Sequence, residues 1–428
     1  MRSMRRGDFT VDLGRKELYS RIPEIDTLWD GILGADFRSY PHRIGSLHGG
    51  AIIEMSSAFR GRRRGMTTAQ LATGALDLAR AWARSGVRQP SNYEEYWYQR
   101  TGETFARMMA QGYWEKFRGQ KWSDMPVPRF DSDGRALKPR RFGALGHGLK
   151  LAAKGGQASQ ARWRHPAYGT GQICSLLAED LVRHGGEIRF DTEVVSLEMT
   201  DGAVSSVTAL KEGQLTRSTV ANVISSLQVE ALELLLWKQW RKKRNFPGQR
   251  TVFLVYVFLD ETPRFPHAWL EVNDVALNCG RITNYASFGG KMVPEGKTAL
   301  CVEFFVDASD ERTAWSEERW TRCAIAECAR NALIDPTRIA DTMFVRLERC
   351  NAAASWRDAQ ESRRKKVLDE ILPIKNLYHV YRPGTDWASF AGLSAARAIV
   401  SGQRLSFEQT ADPTKSYLEQ QGTAVSSA

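Results

Sequence analysis

Sulfur and imidazole are scarce in this sequence. Its 428 residues hold 6 cysteines and 7 histidines. Cys174, Cys279, Cys301, Cys323, Cys328 and Cys350 form no C-x-x-C pair, and no histidine lies at metal-ligand spacing beside them. The pattern therefore gives no zinc-type site, and no metal is expected. Long apolar runs are missing too: no stretch reaches the roughly 18 residues needed to span a bilayer. The start, MRSMRR, is basic but has no apolar segment behind it, so it is not read as a secretion signal. Buried, reduced cysteines in a cytoplasmic protein are the expectation. No Ser-His-Asp or Cys-His constellation stands out, and no helix-turn-helix, RRM or KH pattern.

What is present is a globular composition with a basic surplus. Hydrophobic residues make up 42% of the chain and mean hydropathy is −0.41, which excludes a disordered polymer. The length allows two domains sharing a core. The net charge of +11 is concentrated in Arg60 and Arg62 to Arg64, in KQWRKKR (Arg241 to Arg244), and in SRRKK (Arg363 to Lys366). With no recognition motif beside them, these runs read as a solvated surface rather than a nucleic-acid site. An anionic substrate or peripheral contact with lipid headgroups is the next reading.

Near the start, GDFTVDLG alternates Phe9, Val11 and Leu13 with Thr10 and Asp12, the period of a strand. Nothing before it reads as a partner strand. Its partner is then either distant in sequence, or the chain opens in the middle of a fold; the second is the expectation. IPEIDTLWDGILG places Ile22, Ile25, Leu28, Trp29 and Ile32 at helical spacing, with Pro23 in the first turn. Residues 66–125 are helical and dense in Trp and Tyr. Residues 126–162 are rich in Gly, Pro and basic residues and read as a mobile loop. PAYGTGQ is a tight turn. ICSLLAEDLVRHGG is an amphipathic helix closed by Gly185 and Gly186. EIRFDTEVVSLEMTDGAVSSVTAL is a strand leading into a hairpin centred on Asp-Gly. TVANVISSL is a short apolar strand of the kind found in buried parallel sheets.

In this order, the helix, GGEI, strand, DG hairpin and VISS strand resemble the second half of the FAD domain in the amine oxidase and protoporphyrinogen oxidase superfamily. GDFTVDLGRKELYSRIPEIDTLWDGILG is similar to the segment that follows the dinucleotide motif there, including the UDP-galactopyranose mutase-like branch. HAWLEVNDVALNCGRITNYASFGGKMVPEGKTALCVEFF looks like that branch's substrate-domain strands. NLYHVYRPGTDWASFAGLSAARAIVSG resembles the C-terminal flavin-contacting segment.

The resemblance implies an α/β protein. Its discontinuous Rossmann-like FAD domain would occupy residues 7–60, 161–240 and 361–405. A helical cap at 61–160, a mixed-sheet substrate domain at 250–350 and a flexible tail at 406–428 complete it. One part of the pattern is absent. No G-x-G-x-x-G follows a strand, and GALGHG has the wrong spacing, so the FAD domain is expected to be N-terminally truncated. A cofactor-free variant is the alternative.

The implied cofactor is FAD. Val194 would serve its adenine end, and Ser225, beside Ser226, would end a strand near the dinucleotide loop. Arg382, Gly384, Thr385 and Asp386 would meet the flavin. So would the helix of Gly392, Ala395, Ala396 and Ile399, whose N-terminus favours negative charge. Tyr381 stands where the family has glycine. Tyr168, Gly169 and Gln172 would lie near the flavin face. Arg281 and Asn284 would face a small, anionic substrate such as a carboxylate or phosphate.

The implied activity is FAD-dependent oxidation of a C–N or C–C bond, in a chain whose activity the truncation puts in question. A redox-neutral rearrangement of a sugar nucleotide and a non-catalytic binding protein are the alternatives. Nucleic-acid binding through the arginine runs is a weaker third.

Overall fold

The computed structural model describes residues 1–20, 22–55, 65–84, 89–127, 163–237, 249–352, 364–382, 384–404 and 407–408. The expected loop at 126–162 lies almost wholly outside these residues, as do GALGHG, most of the three arginine runs and the expected tail, apart from residues 407–408.

The strand of GDFTVDLG finds its partner immediately upstream, which corrects the expectation that nothing there could pair. β1 (Ser3–Arg6) and β2 (Phe9–Asp12) form an antiparallel hairpin with Ser3 opposite Asp12. Gly7 supplies the positive φ of the turn. Polar Ser3 and Met4-Arg-Arg hide β1 from pattern reading. All four residues of β2 are buried, because one face packs on a large sheet and the other meets a helix.

α1 (Pro23–Leu33) starts at Pro23 and buries Ile25, Trp29 and Leu33, while Leu28 is exposed. β3 (Phe37–Ser39) pairs with β6 (Arg164–Pro166). β4 (Ile44–His48) and β5 (Ala51–Glu54) come from the stretch assigned by expectation to the first part of the FAD domain. They hydrogen-bond instead into the main sheet.

That sheet has seven strands in the order β15-β11-β14-β13-β12-β4-β5. The remaining members are β11 (Gln249–Leu259), β12 (Trp269–Val272), β13 (Arg281–Asn284), β14 (Thr298–Asp307) and β15 (Ile339–Ala352). β14 is buried in nine of its ten residues, so it lacks the alternation of a half-exposed strand. The reason is coverage of both faces. α8 (Glu317–Arg330) lays Trp320, Ala324 and Cys328 on one. The β1–β2 hairpin and a helical block lie on the other.

The helical block comprises α2 (Thr68–Arg84), α3 (Tyr93–Thr101), α4 (Glu103–Ala106) and α5 (Gly112–Arg118), with a π-helical turn at Arg107–Gln111. Asn92 caps α3 by accepting from the Glu95 amide at 2.8 Å. The π turn is pinned to the sheet: Ser46 Oγ donates to Met108 O at 2.6 Å. At Gly112 a Cβ would lie 2.3 Å from Asn273 O, so only glycine allows this approach.

α6 (Gly171–Arg183) leads into β7 (Glu193–Thr200), β8 (Ala203–Lys211) and β9 (Gln214–Thr219). Asp201 and Gly202 form the expected hairpin turn with φ of 51° and 76°. β10 (Val223–Ser225) then pairs in parallel with β16 (Leu377–His379), and α9 (Thr385–Ser401) follows β16. α7 (Val229–Leu236) packs beneath β7. α1, α6, β16 and α9 share a second core around Trp29 and Ala395. Among the described cysteines, Cys279, Cys301 and Cys328 are buried, Cys323 is part-buried, and Cys174 departs furthest from the expected burial and is exposed. Among the described residues no helix is long and apolar enough to cross a membrane, and no side-chain group could hold a metal ion.

Candidate active-site region

The hairpin positions the loop that follows it. Asp12 is fully buried at the N-terminus of α6. It accepts from Ser3 Oγ at 2.5 Å and from the Thr170 amide at 2.9 Å, and its other oxygen meets His165 Nε2 at 3.2 Å. Its backbone carbonyl accepts from the Tyr256 and Tyr285 hydroxyls at 2.7 Å each. The Gly14 amide donates to Tyr256 Oη at 3.1 Å, and the Arg15 amide donates to Glu303 Oε1 at 3.0 Å. Five side chains (Ser3, His165, Tyr256, Tyr285 and Glu303) and the Thr170 amide thus clamp residues 12–15 over the sheet's inner face.

Beyond the clamp, a charged and aromatic group crowds the same face. Arg15 lies 4.0 Å over the Trp269 ring and pairs with Glu17. Tyr40 Oη donates to Glu17 at 2.7 Å, and His42 Nε2 lies 3.3 Å from the same carboxylate. Burial works to raise the Glu17 carboxyl, but His42, Arg15 and Tyr40 outweigh it and hold it at about 2. His42 stacks on Trp163 at 3.5 Å and meets Trp269 edge-on. Glu271, on β12, lies beside Arg15 and Arg281. Sequence reasoning missed this group. The available signals were the Arg-Lys-Glu triplet directly after Gly14 and a single acid inside the apolar strand WLEV.

The residues nominated from the sequence fall in four places. Tyr168 and Gln172 come together at a cleft of about 580 Å³ between the hairpin and α6, which Arg5, Thr10 and Lys291 also line. Lys291 Nζ donates to Tyr168 Oη at 2.9 Å, and Gln172 Nε2 donates to Asp36 at 2.9 Å. Gly169 has φ of 88°, and a Cβ there would lie 2.5 Å from Ser3 Oγ.

Arg281 is not in that cleft. It is buried and forks onto Glu303 at 2.9 and 2.6 Å, with a third bond to Tyr113 Oη at 3.1 Å. The buried pair holds the Arg281 proton more tightly than usual, Glu303 outweighing desolvation. Asn284 is buried and caps a 3₁₀ turn through the Ala286 amide.

Ser225 and the start of α9 form the third place. Ser225 ends β10 in register with His379, and α9 begins just beyond β16. Gly384 (φ 91°) starts the turn into α9, and Asp386 Oδ1 accepts from the Trp387 amide. Arg382 is buried and turned inward, donating to His379 O at 2.9 Å and Tyr381 O at 2.7 Å. Desolvation, then Arg382 and Arg364, lower the His379 imidazole to about 4. Along α9, Ala395 packs in the core, whereas a Cβ on Gly392 would meet nothing within 4 Å. Val194 stands apart, half exposed on β7 opposite Ala209.

No protein-family model matches the chain, and no curated protein matches it. Solved structures do. The chain is similar to reduced UDP-galactopyranose mutase at 15% identity, with 96% of this chain and 90% of that chain covered and a TM-score of 0.72. It is similar to a protein of Exiguobacterium sp. 255-15 assigned as a protoporphyrinogen oxidase, at 15% identity, 94% and 90% coverage and a TM-score of 0.66. Putrescine oxidase bound to putrescine follows at 11% identity, 94% and 89% coverage and a TM-score of 0.52. The chain has the amine oxidase–protoporphyrinogen oxidase fold. At these identities the likeness speaks for the fold.

The described residues fit a dinucleotide in part. The C-terminal ends of parallel β10 and β16, with the N-terminus of α9 beside them, are where open parallel sheets bind ligands. The strand–Gly-x-Gly–helix at β6 and α6 is different. Its first amides are already taken, Thr170 N by Asp12 and Gly171 N by Ser3 Oγ at 2.8 Å. An internal carboxylate occupies the place a phosphate would need.

Proposed function

We propose that this chain is an FAD-dependent oxidoreductase polypeptide of the amine oxidase and protoporphyrinogen oxidase type. It would act on a C–N or C–C bond of a small molecule. The observation that supports this most is the likeness in fold, over 94–96% of the chain, to an oxidase, an assigned oxidase and a mutase. When bound, FAD supplies the two-electron chemistry. Gly384, Thr385 and Asp386 would line its flavin half, with the α9 N-terminus favouring negative charge there, and Ser225 would lie towards its dinucleotide end. The clamped loop at residues 12–17 and the inner face of the sheet would form the opposite wall, holding the substrate and excluding water.

A redox-neutral rearrangement is the second reading, supported by the TM-score of 0.72 to the mutase. The test is to purify the chain, titrate FAD by fluorescence quenching, and offer amines, alcohols and sugar nucleotides to the loaded protein without oxygen. Saturable FAD binding followed by bleaching is the expected result. Bleaching absent but sugar nucleotide isomerised would favour the mutase reading. No FAD binding would leave a non-catalytic binding protein.

A further inference from the structure

The β1–β2 hairpin and α6 are fastened together at one end and stand apart at the other. Ser3 and Asp12 are a cross-strand pair, and they bond the Gly171 and Thr170 amides at the start of α6. The next pair on the same face of the hairpin is Arg5 with Thr10. Alternate residues of a strand share a face, so these two side chains point towards α6 as Ser3 and Asp12 do. Met4 and Val11, between them, pack into the sheet core on the other face. At the level of Arg5 and Thr10 the hairpin and α6 part, and the cleft of about 580 Å³ opens between them. Clefts of this size hold small molecules.

The donors that line this cleft have protons to spare. Thr10 is 9% exposed, and its hydroxyl bonds to no other described residue. Arg5, across from it, forms no ion pair among the described residues. Lys291 is held beside them by backbone on both sides. Its own amide donates to Ala167 O at 2.7 Å, and the Thr10 amide donates to Met292 O at 2.7 Å. Lys291 Nζ gives one proton to Tyr168 Oη and keeps two. Asp8, at the tip of the hairpin, and Glu179, two turns along α6, line the cleft as well. With Arg2, three cations face two carboxylates, which leaves one net positive charge. The first amides of α6 are already occupied, so binding falls to these side chains. A singly charged oxyanion balances such a lining, whereas a phosphate dianion exceeds it.

We propose that this cleft binds a small monocarboxylate. The ligand carboxylate accepts from Thr10 Oγ, Arg5 and Lys291 Nζ. Arg5 supplies the planar fork that matches a carboxylate, and Lys291 a point charge. The apolar body of the ligand lies against the Tyr168 ring and Leu176, which line the same cleft. Asp8 and Glu179 disfavour a second negative charge, which sets the class of ligand. None of these residues belongs to the region assigned to the flavin at β10, β16 and α9. The inference therefore goes beyond the flavin-dependent reading and stands whether or not the chain binds FAD.

Cys174, exposed and lining the same cleft, reports on its occupancy. The purified chain is alkylated with N-ethylmaleimide at neutral pH and constant ionic strength, and alkylation of Cys174 and Cys323 is followed by mass spectrometry. Benzoate is the probe, at up to about 10 mM, tenfold above a millimolar Kd. It should slow alkylation of Cys174 about tenfold and leave Cys323 unchanged, because at that concentration about nine clefts in ten are filled. Benzylamine and inorganic phosphate at the same concentration should protect far less. Thr10→Val and Lys291→Gln should each raise the benzoate concentration for half-protection about tenfold, with thermal melts close to the parent. No protection by benzoate would overturn the proposal. So would equal protection by benzylamine or phosphate, or protection that neither substitution weakens. The FAD titration decides the proposed function separately, since no step of this test involves flavin.

Discussion

The seven-stranded sheet and the β10–β16 pair are built by the same rule and finished to different degrees. In the large sheet, strands β11, β13 and β14 are buried on both faces, and the buried ion pair Arg281–Glu303 is fully hydrogen-bonded. Among the described residues the parallel pair has two strands, and Ile224 in β10 is 47% exposed. Next to it, α6 turns Leu177, Leu181 and Val182 to solvent. Parallel strands are normally covered on both faces, so this apolar surface marks the part of the fold where further contacts belong. One region carries stability; the other carries open strand ends.

Substitutions should separate the two regions. The largest effect belongs to Glu303→Ala, which strands Arg281 as a buried, unpaired charge. It should cost about 3–5 kcal/mol, read as a drop in urea midpoint. Leucine at Arg281 and at Glu303 together should recover much of that loss.

Next comes the pH dependence set by two carboxyls. Glu17 is held at about 2 when folded, so its contribution is complete above the unfolded value near 4.3 and is lost as pH falls towards 2. Glu271 has the opposite sign. With a folded value of about 7, it costs stability as pH rises from about 4.3 to 7, by up to about 4 kcal/mol. Glu271→Gln should therefore leave stability at pH 4 unchanged and raise it at pH 8, in thermal melts at both.

Smaller effects are expected on the open side. Leu177→Lys with Leu181→Lys should shift stability by less than about 0.5 kcal/mol, yet reduce self-association measured by light scattering. Smallest is Gly392→Leu. No neighbour obstructs the new side chain, and helix propensity should add up to about 1 kcal/mol. A loss of FAD binding with that gain would place Gly392 against the flavin.

Much of the fold was legible because local signals agreed with it. Pro23 and the Ile25/Trp29 spacing give α1, and Asp201-Gly202 gives the β7–β8 turn. The apolar VIS run gives a parallel strand. What was not legible depended on distant partners. Nothing local says that Ser3–Arg6 pairs with β2, because its residues are polar. Nothing local says that β4 runs parallel to β12, more than two hundred residues away. The site divided in the same way. Tyr168 and Gln172 lie together because they share one turn. Arg281 read as a free fork, because its partner Glu303 lies on another strand. Arg15, Glu17, His42 and Glu271 come from three separate segments, and only the folded sheet collects them.

The most direct test of the contrast is hydrogen–deuterium exchange of the purified chain with and without FAD. Amides of β11 and β14 should be strongly protected in both states. Those of β10, β16 and the first turn of α9 should exchange quickly alone and slow down selectively when FAD is added. Equal protection of the two regions without FAD, or slowing confined to the large sheet when FAD is added, would contradict the account.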